Sequence, residues 1–505
     1  MSKHFYLFLM AFIVVPFVIF SQPTVVWEVS YGGSYTDQSS DVIIAHDGNL
    51  LVLSMPYSID GDVSDSHGGA DFWLLKLDNN GQLIWKKTYG GSADDFALKV
   101  ISAEDNGYFI LGTTASNDGD VSSNHGATDL WLLKVNEDGD MIWQKTYGGT
   151  SYETGGSITA SSDGNFIIAG GSQSTDGDLT SAGNHGFQDL WTFKIDPDGE
   201  VLWSKCYGGS GEDYGASIIP DSDGGCIVAG GSSSSNGDAI NNHGLVDVFV
   251  LKLNSTGVIQ WKKMFGNIGR DYNNDMVATG DGGAVLINTS NSPIPSTHGD
   301  YEIWGIRINS SGAILWSKCF GGSDIETGYG VSKTSTGNFL FTGISNSTNG
   351  NVIGNTNQNG WLFCVDSGGE LLWQKPYGSL ESDRFDKAIE IAAGEYVIVG
   401  STSAFQYGDL WILHMSSNTT DAQDISAATG QLSVSPCPAY DEIKILAGDN
   451  RENAALTISA MDGSIVLKQL VTPNRRIDVS GLPAGIYVVT LAGGDGVCAT
   501  KFVKQ

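Results

Sequence analysis

Between residues 117 and 135 the chain reads NDGDVSSNHGATDLWLLKV, which sets Asp118, Asp120, His125 and Asp129 close together. The copy at 59–77 carries Asp60, Asp62 and His67, and the copy at 175–195 carries Asp176, Asp178 and His185. A fourth keeps Asp238 and His243 but has Asn236 in the first position. Asp-x-Asp offers hard oxygens of the kind calcium takes. Histidine suits zinc, yet one His among carboxylates lacks zinc spacing, and no D-x-D-x-D-G calcium loop is present. The competing reading is that Asp caps a turn and His ties the loop closed. Later copies decay: His298 follows SNSPIPST, then come NSTNGNVIGNTNQNG and SAFQYG. Calcium is therefore a candidate for the first four copies only.

A second set of acids stands six residues after an aromatic-Gly pair: Asp37, Asp95, Glu153, Asp213, Asp271, Glu326 and Asp383. Seven carboxylates around an axis could hold a cation. Alternatively each accepts backbone N–H bonds from its own turn. Equal use in every copy favours the second role, because binding sites break symmetry. No G-x-S-x-G, H-E-x-x-H or phosphate-cradling glycine loop occurs, so no catalytic residue is singled out.

Both sets belong to one repeat. The motif W-x-x-x-[YF]-G recurs at Trp27, Trp85, Trp143, Trp203, Trp261, Trp316 and Trp373. Each unit holds four short apolar or alternating runs bounded by Gly, Asn and Asp, which read as strands joined by hairpin turns. In the second unit these are FALKVIS, YFILGTT, LWLLKV and DMIWQKTYG. Seven four-stranded units predict a seven-bladed β-propeller, whose faces are buried only by stacking on neighbours. The strands are called a to d from the channel outward.

The seventh unit lacks strand d, while the segment QPTVVWEVSYGG supplies one with nothing before it. The N-terminal strand should therefore close the ring and remove an open edge. The 13 tryptophans fall on strands c and d alone, a regularity that points to packing between blades. The d–a and b–c connections share one face, which carries the long loops and is the likelier seat of function.

Lys and Arg number 26 against 57 Asp and Glu, a formal charge of −31. Such a field argues against nucleic acid and anionic membranes. Residues 1–21 have a short basic start, an apolar run from Phe5 to Phe20 and a small residue at Ser21, the pattern of a secretory signal peptide. No other segment is apolar enough to span a membrane. Of six cysteines, Cys206 and Cys319 occupy one repeat position and read as substitutions on the scaffold. Cys437 and Cys498 could pair, since export permits disulfides.

After Met415 the composition changes. Residues 416–430 form a polar linker, and residues 431–505 read as a small β-sandwich. This tail resembles the C-terminal sorting domain of the type IX secretion system of Bacteroidetes. The resemblance rests on Val434-Ser435-Pro436-Cys437-Pro438, on Met461-Asp462-Gly463, on Leu482-Pro483-Ala484-Gly485-Ile486-Tyr487 and on the terminal Lys501-Phe502-Val503-Lys504-Gln505. Cys437 departs from it, standing where the family usually has Asn. The resemblance implies outer-membrane passage by that machinery, then release or attachment at the surface, often with removal of the tail. The repeats likewise resemble secreted propeller repeats of such bacteria.

The expectation is an all-β protein: a signal peptide at 1–21, a propeller at 22–415 and a sorting domain at 431–505. Its expected role is monomeric binding of an extracellular glycan or protein through the long-loop face. One alternative is a polysaccharide hydrolase or lyase using channel carboxylates; another is a structural spacer.

Overall fold

The structure is a computed structural model. It describes residues 22–63, 65–294, 298–379, 381–403 and 408–417, and in the tail 432–435, 442–447, 454–460, 465–471, 476–483, 485–493 and 496–504. The expected signal peptide, most of the linker, and Cys437 lie outside these residues. The chain divides into two compact units, 1–418 and 419–505.

The first unit consists of seven antiparallel four-stranded sheets. Blade 2 is representative, with strands Asp95–Ser102, Tyr108–Thr114, Asp129–Val135 and Met141–Tyr147. Its strand b, YFILGTT, is buried at every position. The run has no polar alternation because neighbouring blades cover both of its faces. Strand c is buried almost throughout, whereas strand d is only half covered. The amphipathic period thus fades toward the middle of each sheet and returns at its rim.

The ring closes as the repeat predicts. Strands Asp383–Ala392, Glu395–Thr402 and Asp409–Ser416 form the last sheet with Thr24–Tyr31. The pairing runs from Thr24↔Ser416 to Tyr31↔Leu410. One apolar cluster spans the seam, joining Val52, Trp73 and Leu75 to Val397, Val399 and Ile412 with Trp27 against it.

The strand c tryptophans Trp73, Trp131, Trp191 and Trp361 are fully buried. Each such ring removes roughly 150–250 Å² from water, worth about 4–6 kcal/mol as an upper bound. The strand d tryptophans act differently: all but Trp373, which stands against Tyr396, lean on the c–d turn of the next blade. A Cβ on Gly139 would stand 2.8 Å from the Trp85 ring, and its φ of 78° also calls for glycine. The hydroxyls of Tyr31 and Tyr147 donate to the carbonyls of Gly81 and Gly199 in equivalent turns, at 2.9 and 2.7 Å. Aromatic and glycine are therefore two halves of one contact between blades.

Every strand a carries a bulge, between Ser39/Asp41, Ala97/Lys99, Gly155/Ser157, Gly215/Ser217, Asn273/Asp275, Gly328/Gly330 and Phe385/Lys387. A bulge re-aims the side chains beside it. Here it sets which residues of strand a meet the channel.

The second unit holds two antiparallel sheets. Leu432–Ser435, Glu442–Ala447 and Arg476–Asp478 form one, and Ile465–Val471, Ala454–Ala460, Gly485–Gly493 and Gly496–Lys504 form the other. Ile443, Leu456, Ile458, Ile477, Val479, Tyr487 and Val489 are its buried apolar residues.

Candidate functional site

The b–c loops fold back onto the d–a turns. The backbone N–H groups of Asp62, Asp120, Asp178 and Asp238 donate to the carbonyls of Gly32, Gly90, Gly148 and Gly208 at 2.7–3.0 Å. The first acid of each D-G-D accepts from the same turn: Ser34 N–H to Asp60 at 2.7 Å, Ser92 to Asp118 at 2.7 Å and Thr150 to Asp176 at 2.8 Å. Asn236 and Asn349 accept the equivalent bond, both at 2.8 Å. Acid and amide are interchangeable here because only an acceptor oxygen is required.

The histidines turn the other way. The Nδ1 atoms of His125, His185 and His243 lie 2.6, 2.7 and 2.9 Å from Asp129, Asp189 and Asp247 at the head of strand c. His67 stands 3.5 Å from Asp71. Asp-x-Asp and His of one loop thus address different partners. Among the described residues no three His, Cys, Asp or Glu side chains are grouped to hold a metal.

The ring of seven acids opens strand a and is buried. Asp37, Asp95, Glu153, Asp213, Asp271 and Glu326 are all 0% exposed, and Asp383 is 1%. Each accepts from the second residue of its own turn. The donors include Gly33, Gly91, Gly149 and Gly209 at 2.8–2.9 Å, Asn267 at 3.1 Å and Gly322 at 2.9 Å, with Ser379 bonded likewise to Asp383. These acids were expected beside the channel. Their hydrogen bonds follow the second of the two roles weighed for them, acceptance from the backbone of their own turns.

Each ring acid shares its turn with the residue that opens strand c. A Cβ on Gly148 would lie 2.4 Å from Asp129 Oδ1 and 2.5 Å from Glu153 Oε2. Asp71 with Asp95 and Asp409 with Asp37 repeat the arrangement around Gly90 and Gly32. Burial, aided by the neighbouring carboxylate, pushes Asp71 and Glu153 above the usual range. Burial and then the charges of Asp37 and Asp62 push Asp409 up to about 6.

The channel wall is made by the bulged residues. These are Ser40, Leu98, Gly156, Ala216, Asn274, Tyr329 and Asp386, and beside them Asp41, Lys99, Ser157, Asp275 and Lys387 also line the channel. Lys99 Nζ meets Asp41 at 3.1 Å, and Lys387 pairs with Asp275 while donating to the Val331 carbonyl at 2.9 Å. Asp386 takes Arg384 at 3.0 Å and the Ser39 hydroxyl at 2.5 Å. Burial opposes charge on Asp275, but Lys387 and Lys99 outweigh it and hold its carboxyl below the usual range. Burial likewise opposes charge on Lys99, but Asp41 and Asp275 keep it above its usual value. These pairs enclose a cavity of about 640 Å³. The sequence does hold the signal: this inner-strand position changes chemistry from blade to blade. Without the bulge, its direction could not be read.

In the tail, Leu482 and Pro483 lie just before strand Gly485–Gly493, and the Tyr487 hydroxyl donates to the Pro483 carbonyl at 2.8 Å. Ala484 and residues 436–438 lie outside the described residues, and the Cys498 side chain is likewise not described. Cys206, Cys226, Cys319 and Cys364 are buried free thiols.

Fold and tail together define a secreted β-propeller repeat protein with a sorting module. Residues 433–505 match the family model of the secretion system C-terminal sorting domain. The protein is therefore exported to the cell surface or beyond, and its tail engages the type IX secretion machinery. No helix among the described residues is long and apolar enough to cross a membrane. The chain is 23% identical over 215 residues to regulatory protein FlaEY of Caulobacter vibrioides, covering 40% of this chain and 22% of that protein. The match thus spans less than a quarter of that relative. A protein of unknown function from Dyadobacter fermentans has a TM-score of 0.41 at 10% identity, over 78% of this chain and 99% of the other. The Pan2 WD40 domain of Neurospora crassa has a TM-score of 0.45 at 11% identity, over 78% and 95%. The propeller fold itself is read from the seven sheets of this chain.

Proposed function

We propose that this protein is an exported binding protein whose propeller, residues 22–415, retains its ligand at the channel and the long-loop face around it. Residues 431–505 act as its delivery module. The observation that carries this reading is the break in symmetry at the channel. Blade junctions repeat one acceptor pattern, whereas the bulged residue of strand a runs Ser, Leu, Gly, Ala, Asn, Tyr, Asp around the channel. Scaffold positions repeat; a wall that differs in every direction suits one ligand in one orientation. Retention is favoured over turnover at Asp275, which, against the effect of burial, Lys387 and Lys99 hold below the usual carboxylate range. A general acid must keep a proton near working pH, and a neighbouring ammonium removes it.

The test is capture from displayed extracellular glycans and proteins, with a product assay alongside. The expected outcome is retention without products. Released products would favour the hydrolase or lyase, and no capture at all would leave the spacer.

A further inference from the structure

The cavity has two unlike sides. Blades 1, 2, 5 and 7 bring the charges, each cation there being matched to a carboxylate. Blades 3 and 4 contribute Gly155, Gly156, Ser157, Gly215 and Ala216, none of which carries charge. At the long-loop end of that side stand Thr154, Gln188, Glu212 and Tyr214, of which only Glu212 carries charge, and it is open to solvent. Gln188 Nε2 donates to the Thr154 hydroxyl at 2.9 Å, which fixes the amide plane.

Chemistry narrows the occupant. An apolar molecule would strip water from paired charges with no return. An anion would find every channel cation already engaged, inside a protein of formal charge −31. A cation would find Asp41, Asp275 and Asp386 already engaged by Lys99, Lys387 and Arg384. A neutral, hydroxyl-rich molecule avoids all three conflicts. It can exchange hydrogen bonds with Thr154, Gln188 and Asn274, and lay a C–H face on an amphipathic ring such as Tyr214. Two further rings stand next to this mouth in sequence and are open to solvent: Tyr152 is 54% exposed and Phe187, which precedes Gln188, is 59% exposed. A volume of about 640 Å³ lies in the range of small-ligand sites, roughly 300–1,000 Å³.

We infer that the channel side formed by blades 3 and 4 is a binding site for an uncharged glycan, with Gln188 and Tyr214 as its principal contacts. This rests on the binding function proposed above and names its ligand class.

The test uses the mature full chain on one array bearing neutral oligosaccharides, anionic oligosaccharides and peptides, followed by titration calorimetry. Binding of neutral oligosaccharides is expected, weakened about tenfold or more by Gln188→Ala and by Tyr214→Ala. The rim variant Ile84→Ala should bind as the parent does, and melting curves check that all three variants fold. Neutral-glycan binding unaffected by both channel variants would overturn the site. Capture of anionic glycans or peptides alone would overturn the ligand class while leaving the binding reading intact. Failure to retain anything would overturn both.

Discussion

At the scale of single residues, carboxylates buried in pairs make stability depend on acidity. Asp71, Glu153 and Asp409 titrate above their usual range, Asp409 at about 6. The unfolded value is about 3.9 for Asp. Between these values the folded chain holds more protons than the unfolded one, so stability falls as pH rises through that window. Melting temperature should therefore increase from pH 7.5 to pH 5, and Asp409→Asn should flatten part of that rise. A lower limit comes from acids shifted the other way. Burial pushes Asp163 up, but hydrogen bonds from Lys194 and Ser161 bring it down to about 2; its contribution disappears as pH falls below about 4. The loop acids give a second test. Asp118 accepts from Ser92 as Asn236 does from Ser210. Asp118→Asn should melt like the parent with or without chelator, and Asp118→Ala about 1–2 °C lower. A chelator-sensitive melt lost in both variants would restore calcium to this loop. The sequence disclosed the acids and their symmetry. It did not disclose their direction, because a D-G-D that ligates a metal and one that receives a turn look alike.

At the scale of elements, strands, turns and ring closure were legible because period, turn residues and tryptophan register all agreed. The bulge in strand a was not: in blades 1, 2 and 7 it adds Ser40, Leu98 and Asp386, with no Gly or Pro to mark it. Hence the channel residues were missed while the inner strand was located. The contact between aromatic and turn predicts that Gly139→Ala costs about 2 kcal/mol, measurable by denaturant titration. Its cause is both the positive φ and the Trp85 ring 2.8 Å from the new methyl. Gly164→Ala, at a φ of 80° with nothing near its Cβ, should cost less. The difference isolates the packing part. Removing Gln22–Ser30 takes away the partner of Asp409–Ser416. The shortened protein should be oligomeric or aggregated by light scattering; a stable monomer would refute ring closure as the reason for that strand.

At the scale of the whole molecule, delivery is written in a tail of 73 matched residues, and the proposed binding role rests on the geometry of a channel. The tail could be read directly because its motif residues, such as Leu482 to Tyr487, lie together in sequence. The ligand could not, because it depends on side chains that converge from separate blades. The same strand that seals the ring also orders events in time. Residues 24–31 are synthesised before every other strand, yet their partners lie nearly 400 positions later. Long-range pairing of this kind forms slowly. The seven sheets therefore cannot lock until the last of them has arrived, and a chain that stops early has no completed state to fall into. Closure works as a test of completeness: only a chain that includes the final blade can give its first strand a partner.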